Sequence, residues 1–311
     1  MMATAISIKN LHKKYGPRYV LDDLSFDVEK GSIYGFLGQN GAGKTTTIKI
    51  LSGLSISNEG QIIIDNMDSS LEAEKIKNIL GLVPQDSEFY DERTALSHMN
   101  YFARLKGLSK DEGQEQSMFL LERVGLANEM TKKVGSFSHG MKKRLSIAQA
   151  LLNDPKILIL DEPTNGLDPV GVRQVKQIIR ECNDIGITIL VSSHNLLEIQ
   201  EICTHVGILK NGKLITEGTI GDIRRLESNG VITVGIYNMS PEIVSLVENM
   251  EYVVKTELKE KNILEIYVNS KTDVKPEINK LIVNNGGEVF KLIENSLSLE
   301  DAYLSATGMK E

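Results

Sequence analysis

Gly38, Gln39, Asn40, Gly41, Ala42, Gly43, Lys44 and Thr45 follow one another in the spacing G-x-x-x-x-G-K-[ST], with Thr46 directly after. That spacing cradles phosphate when a strand leads into it and a helix leads out. Residues 33–37 have strand character and residues 46–51 helical character, so both conditions are met. The glycines let successive backbone N–H groups turn inward on an anion, and the helix N-terminus adds positive potential. Lys44 is suited to neutralise β- and γ-phosphates, and Thr45 to offer a hydroxyl to Mg2+. A lysine at a helix N-terminus opposes the dipole, a conflict that a bound phosphate resolves.

A second group of reactive residues lies further along. Residues 157–160 form an apolar strand-like run ending in Asp161 and Glu162. Two acids therefore leave the carboxyl edge of a predicted strand, where ligands bind in open α/β sheets. Asp161 can hold Mg2+ through water, and Glu162, aimed differently one residue on, can polarise an attacking water. Residues 188–192 form another β-branched run, and His194 comes just after it. A histidine there can hydrogen-bond a γ-phosphate. Taken alone it reads as a structural residue, as do His12, His98 and His205.

The elements that must position these groups are legible in outline. Strand-like runs at residues 33–37, 62–65, 80–83, 157–160 and 188–192, several separated by helical patterns, predict an α/β sheet. Residues 206–209, Asn211-Gly212 and residues 214–216 read as a hairpin at the domain edge, since Asn-Gly suits a type I′ turn. From Ser87 to Gly135 the pattern turns to Leu-, Met- and Glu-rich helices broken at Gly107 and Gly125. An inserted helical subdomain is expected over about residues 87–152. An amphipathic stretch at residues 220–226 leads into Ser228-Asn229-Gly230, a loop-forming cluster.

A boundary near residue 228 follows, giving a first domain over residues 1–228 and a second over 229–311. The second reads strand (231–237), helix (241–250), strands (252–258 and 263–268), helix (274–284) and strand (288–293). That is the order of a small ferredoxin-like α+β unit. A last helix is predicted at residues 299–306, with Ser298 as N-cap and Asp301 completing a capping box.

Composition narrows the class. With 311 residues, 41% hydrophobic and 25% charged, the chain can bury one large core and a smaller one. No apolar run approaches the roughly 20 residues that span a bilayer, and residues 1–14 lack the pattern of a signal peptide. A cytoplasmic protein is expected. A formal net charge of -7 argues against nucleic acid as a partner. Cys182 and Cys203 fit neither metal nor disulfide spacing and read as buried reduced thiols.

Over roughly residues 4–225 the ordered set of motifs resembles the ATP-binding-cassette (ABC) ATPase family. The set comprises Tyr15 before the first hairpin, the loop Gly38 to Thr45, Gln85 after a strand and Ser138-His139-Gly140-Met141 before a basic helix. Asp161-Glu162, Asn165-Gly166-Leu167-Asp168 and His194 complete it. The resemblance implies a P-loop NTPase fold with a mixed sheet, an antiparallel β-subdomain and an inserted helical subdomain. It implies ATP and Mg2+ as ligands, with residues 38–46 on the phosphates, and Thr45, Gln85 and Asp161 at the metal. Lys44, Gln85, Glu162 and His194 would serve hydrolysis.

By the same resemblance Tyr15 would stack on adenine, where otherwise it covers the hairpin. Gln85 would touch Mg2+ or the attacking water, where otherwise it is a polar loop residue after Pro84. Ser138 and Gly140 would close over ATP held by a second subunit, and Asp168 would reach across the seam, where otherwise it belongs to a turn. Phe137-Ser138-His139-Gly140-Met141 departs from the family's Leu-Ser-Gly-Gly-Gln at Phe137, His139 and Met141 and retains Ser138 and Gly140. Lys142, Lys143 and Arg144 in a first helical turn ask for an anion nearby, or else form a solvated basic face.

The expectation is an ATP-hydrolysing subunit that dimerises, with a homodimer as the simple case, and drives a separately encoded permease from the inner face of the membrane. The segment Ser298-Leu299-Glu300-Asp301-Ala302-Tyr303-Leu304 resembles the tails of exporter ATPases. A soluble cassette ATPase acting on ribosomes or DNA is the competing class, usually with paired cassettes or a long coiled coil. A non-hydrolysing ATP-gated module is a third, opposed by the retained Glu162 and His194.

Overall fold

The computed structural model describes residues 3–221, 230–260, 262–270 and 272–295. The chain forms two units, Met1–Glu217 and Gly218–Glu311. In the first, β1 (Thr4–Tyr15) and β2 (Arg18–Glu29) form a long antiparallel hairpin turning at Gly16, whose φ is 59°. With β4 (Glu59–Ile64) and β5 (Met67–Asp68) they make an antiparallel sheet in the order β2-β1-β4-β5. The alternation of Ile6, Ile8 and Leu11 with polar positions, which spoke only against a signal peptide, is the inward face of β1. The strand expected to run through Asp65 ends at Ile64, because Asp65 and Asn66 adopt φ of 48° and 65° in the turn to β5.

A second sheet has the order β10-β9-β3-β8-β7-β6. Its strands are β3 (Ile33–Gly38), β6 (Leu80–Val83), β7 (Ile157–Asp161), β8 (Thr188–Ser193), β9 (His205–Lys210) and β10 (Lys213–Thr219). From β6 through β9 neighbouring strands are parallel. Every residue of β3, β7 and β8 is buried, as covered parallel strands require. Asn211 and Gly212, at φ of 50° and 79°, form the turn of the predicted hairpin at the sheet edge. Phe26 stacks on Tyr34 at 5.3 Å and meets Phe36 at 5.2 Å, joining the two sheets in one core.

Helices α1 (Lys44–Leu51), α2 (Ala73–Ile79), α6 (Pro169–Asp184) and α7 (Leu196–Ile202) accompany these strands. The insert consists of α3 (Ala95–Leu105), α4 (Lys110–Arg123) and α5 (His139–Ala150), with two 3-10 turns before α5. It breaks at Gly107 and Gly125, whose φ values of 90° and 70° favour glycine. Ser109 and Glu112 start α4 with a capping box that the sequence reading missed.

The second unit runs β11 (Gly230–Tyr237), α8 (Pro241–Glu248), β12 (Val253–Glu260), β13 (Ile263–Val268), α9 (Lys275–Asn284) and β14 (Glu288–Asn295). Its sheet has the order β12-β13-β11-β14, with every pairing antiparallel. Ile232, Val234, Leu264 and Ile266 form its core with Ile243 and Ile278 of the two helices. The helix expected at residues 299–306, with Ser298 and Asp301, lies outside the described residues, as does most of the stretch expected at 220–230.

Candidate functional site

The loop after β3 owes its shape to two glycines. Gly41 and Gly43 have φ of 82° and 116°, and a Cβ on Gly43 would stand 2.7 Å from Leu21 and 3.1 Å from the Val20 carbonyl. Helix α1 starts with no side-chain cap and no acid in its first turn. By helix geometry its first N–H groups lack carbonyl partners and suit an anion. They border a cavity of about 430 Å³ lined by residues 39–41 and 43–46, with Val20, Gln85, Glu162, Asn165 and His194 completing the wall.

Lys44 is 5% exposed, and its Nζ donates to the carbonyls of Gly38 at 2.6 Å and Gln39 at 3.2 Å. It also lies 3.2 Å from Oε1 of Glu162, whose side chain is 7% exposed. This contact is an ion pair without hydrogen-bond alignment, since Oε1 has no hydrogen-bond partner. Oε2 of Glu162 meets Nδ1 of His194 at 2.8 Å. A carboxylate only accepts, so Nδ1 carries the proton in that bond.

The backbone just beyond β7 aims these groups apart. Glu162 has a φ of 47°, a costly conformation for a residue with a side chain. It is held by its own N–H donating to Ser192 Oγ at 3.0 Å. Ser192 Oγ in turn donates to Oδ1 of Asp161 at 2.6 Å. One buried hydroxyl therefore fixes both acids. Ser192 was read only as a strand end, and nothing in the run Thr188–Ser193 marked it apart from the neighbouring Ser193.

The structure brings Gln39, Asn40, Gly41, Gly43, Lys44, Thr45, Thr46, Gln85, Glu162 and His194 together around the cavity. Gly38 contributes its carbonyl to Lys44, Ala42 is buried beneath the loop, and Asp161 is held behind it by Ser192. Val20 and Asn165 line the cavity as well. Nothing in the sequence marked Val20, whose place follows from the β1–β2 hairpin folding over the loop.

Besides Gly38, Ala42 and Asp161, four further candidates are not among the lining residues of that cavity. Tyr15 is 54% exposed at the end of β1, with Lys13 Nζ 5.0 Å from its ring. Ser138 is the N-cap of α5 and accepts from the Met141 N–H at 3.3 Å, while Gly140 lies in that helix's first turn. Asp168 is the N-cap of α6 and accepts from the Gly171 N–H at 2.7 Å. His139, next to the first cap, has Nε2 3.2 Å from the Asn165 carbonyl.

The cations after Ser138 correct an expectation, because each is met by a group of this chain, one carboxylate and otherwise carbonyls, rather than by a bound anion. Lys142 pairs with Asp91 at 3.2 Å. Lys143 Nζ donates to the Gln85 carbonyl at 2.9 Å. Arg144 donates to the carbonyls of Val124 and Gly125, both at 2.9 Å, closing the C-terminus of α4. Burial lowers the Lys143 pKa, opposed by Asp86, Asp161 and Glu162. Burial also pushes the Cys182 thiol to about 11 and the Cys203 thiol higher still, so these free cysteines are unreactive.

Residues 21–165 match the sequence family described as ABC transporter. The bacitracin transport ATP-binding protein BcrA of Bacillus licheniformis is 37% identical over 308 residues, 99% of this chain and 98% of that protein. The Nod factor export ATP-binding protein I of Burkholderia orbicola (strain AU 1054) is 33% identical over 309 residues, 99% of this chain and 98% of its own. Among solved structures, an ATP-binding cassette captured as a dimer after hydrolysis, with ADP and phosphate bound, aligns with a TM-score of 0.63. It is 26% identical and covers 69% of this chain and 98% of its own.

Proposed function

Because this chain belongs to the ABC transporter ATP-binding family, we propose that it is the ATP-hydrolysing subunit of an exporter-type transporter. The observation that carries the reading is Lys44, a buried ammonium at an uncapped helix N-terminus, paired with Glu162 in the wall of a cavity. The cradle fits a triphosphate: Gly43, left-handed and without a Cβ, lets the loop pack against Leu21 and the Val20 carbonyl, and the first turn of α1 carries no acidic residue.

Lys44 would exchange the Glu162 carboxylate for phosphate oxygens and hold them against the first-turn N–H groups of α1. Glu162, released from Lys44 and still held by His194, would orient and polarise the attacking water. Thr45, Gln85 and Asp161 would hold Mg2+, whose chemistry when bound is neutralisation of phosphate charge. These residues supply few protein ligands, as suits a cation that keeps waters and phosphate oxygens. Tyr15, exposed at the hairpin tip, is free to stack on adenine.

The exposed caps Ser138 and Asp168, with Gly140, are read as the face that closes on a second nucleotide-binding subunit, a homodimer in the simple case. Among the described residues no helix is long and apolar enough to cross a membrane, so a separate permease is the proposed partner. A groove of about 680 Å³, walled by Leu54, Ile56, Phe102, Leu105 and Lys106, suits an apolar helix with an acidic flank. A cytoplasmic subunit peripheral on the inner membrane face follows from this reading, with no role for nucleic acid. The second unit is read as a ferredoxin-like accessory domain, supported by its β-α-β-β-α-β order and all-antiparallel sheet.

Calorimetry with MgATP and phosphate release by the purified chain test the reading. Uptake that disappears in Lys44→Ala, and turnover that disappears in Glu162→Gln, are expected. Undiminished uptake in Lys44→Ala would overturn it.

A further inference from the structure

Lys143, Ser146 and Gln149 stand three residues apart on α5 and so share one side of the helix. Each meets a polar group in the segment from the end of β6 into α3. Lys143 Nζ donates to the Gln85 carbonyl at 2.9 Å, and Ser146 Oγ lies 2.8 Å from Ser87 Oγ. Gln149 Oε1 accepts from Nε2 of His98 at 2.9 Å. Lys143 and Ser146 are 4% and 5% exposed, and His98 is fully buried.

A buried ammonium is costly unless its surroundings use it. Those surroundings are the Gln85 carbonyl and the negative field of Asp86, Asp161 and Glu162, all at or beside the phosphate cavity. The other end of the polar stripe, Gln149, lines the groove that also contains Phe102 and Lys106. The stripe thus runs from the phosphate cavity to the groove.

We propose that Lys143 is a positioning residue for hydrolysis, holding Gln85 at the mouth of the phosphate cavity through its carbonyl and making the 85–98 segment move with α5. This rests on the ATPase reading above. Lys143 touches no reacting atom; it fixes where the Gln85 side chain can go. Loss of its charge frees residues 85–88 while leaving the phosphate loop intact, because among the described residues Lys44 bonds to Gly38 and Gln39 and pairs with Glu162, whereas Lys143 bonds to Gln85.

The test uses the full chain and the variants Lys143→Met, Lys143→Arg and Ser146→Ala. In the nucleotide-free protein, Lys143→Met is expected to speed amide exchange at residues 85–88 about tenfold, without change in β7 or α1. Its kcat for ATP should fall about tenfold with KM within about twofold, the signature of lost positioning rather than lost binding. Lys143→Arg, which keeps a cationic donor, should recover both readouts, and Ser146→Ala should show a smaller change of the same kind. Unchanged exchange at 85–88 in Lys143→Met, or a kcat loss that tracks only a lowered melting temperature, would overturn the proposal. Should the unmodified chain take up no MgATP, the ATPase reading fails, and exchange in the nucleotide-free chain still decides whether Lys143 holds residues 85–88.

Discussion

The Lys44 ammonium lies 3.2 Å from the Glu162 carboxylate, with both side chains almost wholly buried. Each neutralises the other, so the group that would grip phosphate and the group that would activate water are mutually occupied. Glu162→Gln leaves Lys44 charged and unpaired in a desolvated site. The nucleotide-free variant should lose about 3 kcal/mol, the low end for breaking a buried pair, since two carbonyls still hold Lys44. ATP at about a hundred times its Kd should return about 2.7 kcal/mol. Thermal melting with and without ATP checks both, and a variant as stable as the parent without nucleotide would sink the pairing argument.

His194→Ala removes the only hydrogen-bond partner found for Glu162 Oε2 among the described residues. The carboxylate then loses its orientation while the phosphate loop is untouched. A fall in kcat of about 100-fold is expected, with KM for ATP changed by less than about threefold. Steady-state phosphate release decides it; a large rise in KM would instead mean that His194 serves binding.

Ser192→Ala deletes the hydroxyl shared by the Glu162 N–H and Asp161. The N–H belongs to a residue at φ 47°, so it loses the bond that holds its unusual conformation. A loss of about 1–3 kcal/mol is expected, the cost of a buried unsatisfied polar group. Urea unfolding should show a lower midpoint at unchanged slope.

His98 gives a pH dependence unrelated to the phosphates. Burial holds its pKa below the ordinary 6.5, partly opposed by the bond to Gln149. Below pH 6.5 the unfolded chain therefore binds more protons at this position than the folded one. Stability from this group is present above 6.5 and is lost as pH falls towards its lower folded value. The melting temperature should drop between pH 7.5 and 5.5, and His98→Phe should flatten that drop. An equal slope in the variant would refute the assignment.

The phosphate loop was readable because its chemistry is local. Strand, glycines, lysine and helix start are consecutive, and their spacing alone turns N–H groups inward. Asp161 and Glu162 were readable for the same reason, as acids at the end of an apolar run. Ser192 was not, since its task is set by β8 lying beside β7, and Val20 was not, since it reaches the cavity only through the hairpin. The misreading of Lys142, Lys143 and Arg144 has the same origin: the helix dipole is visible in sequence, but the Asp91 carboxylate and the carbonyls supplied by residues 85, 124 and 125 are not.

By itself the sequence determined which residues could bind phosphate, which acids could activate water, and the α/β alternation carrying them, because each depends on neighbours along the chain. Only the tertiary structure decided that Glu162 pairs with Lys44 and His194, that one hydroxyl fixes both acids, and that the basic turn is spent on Asp91 and on the protein's own carbonyls. Those relations join residues far apart in sequence, and a distance across space is set by how elements pack.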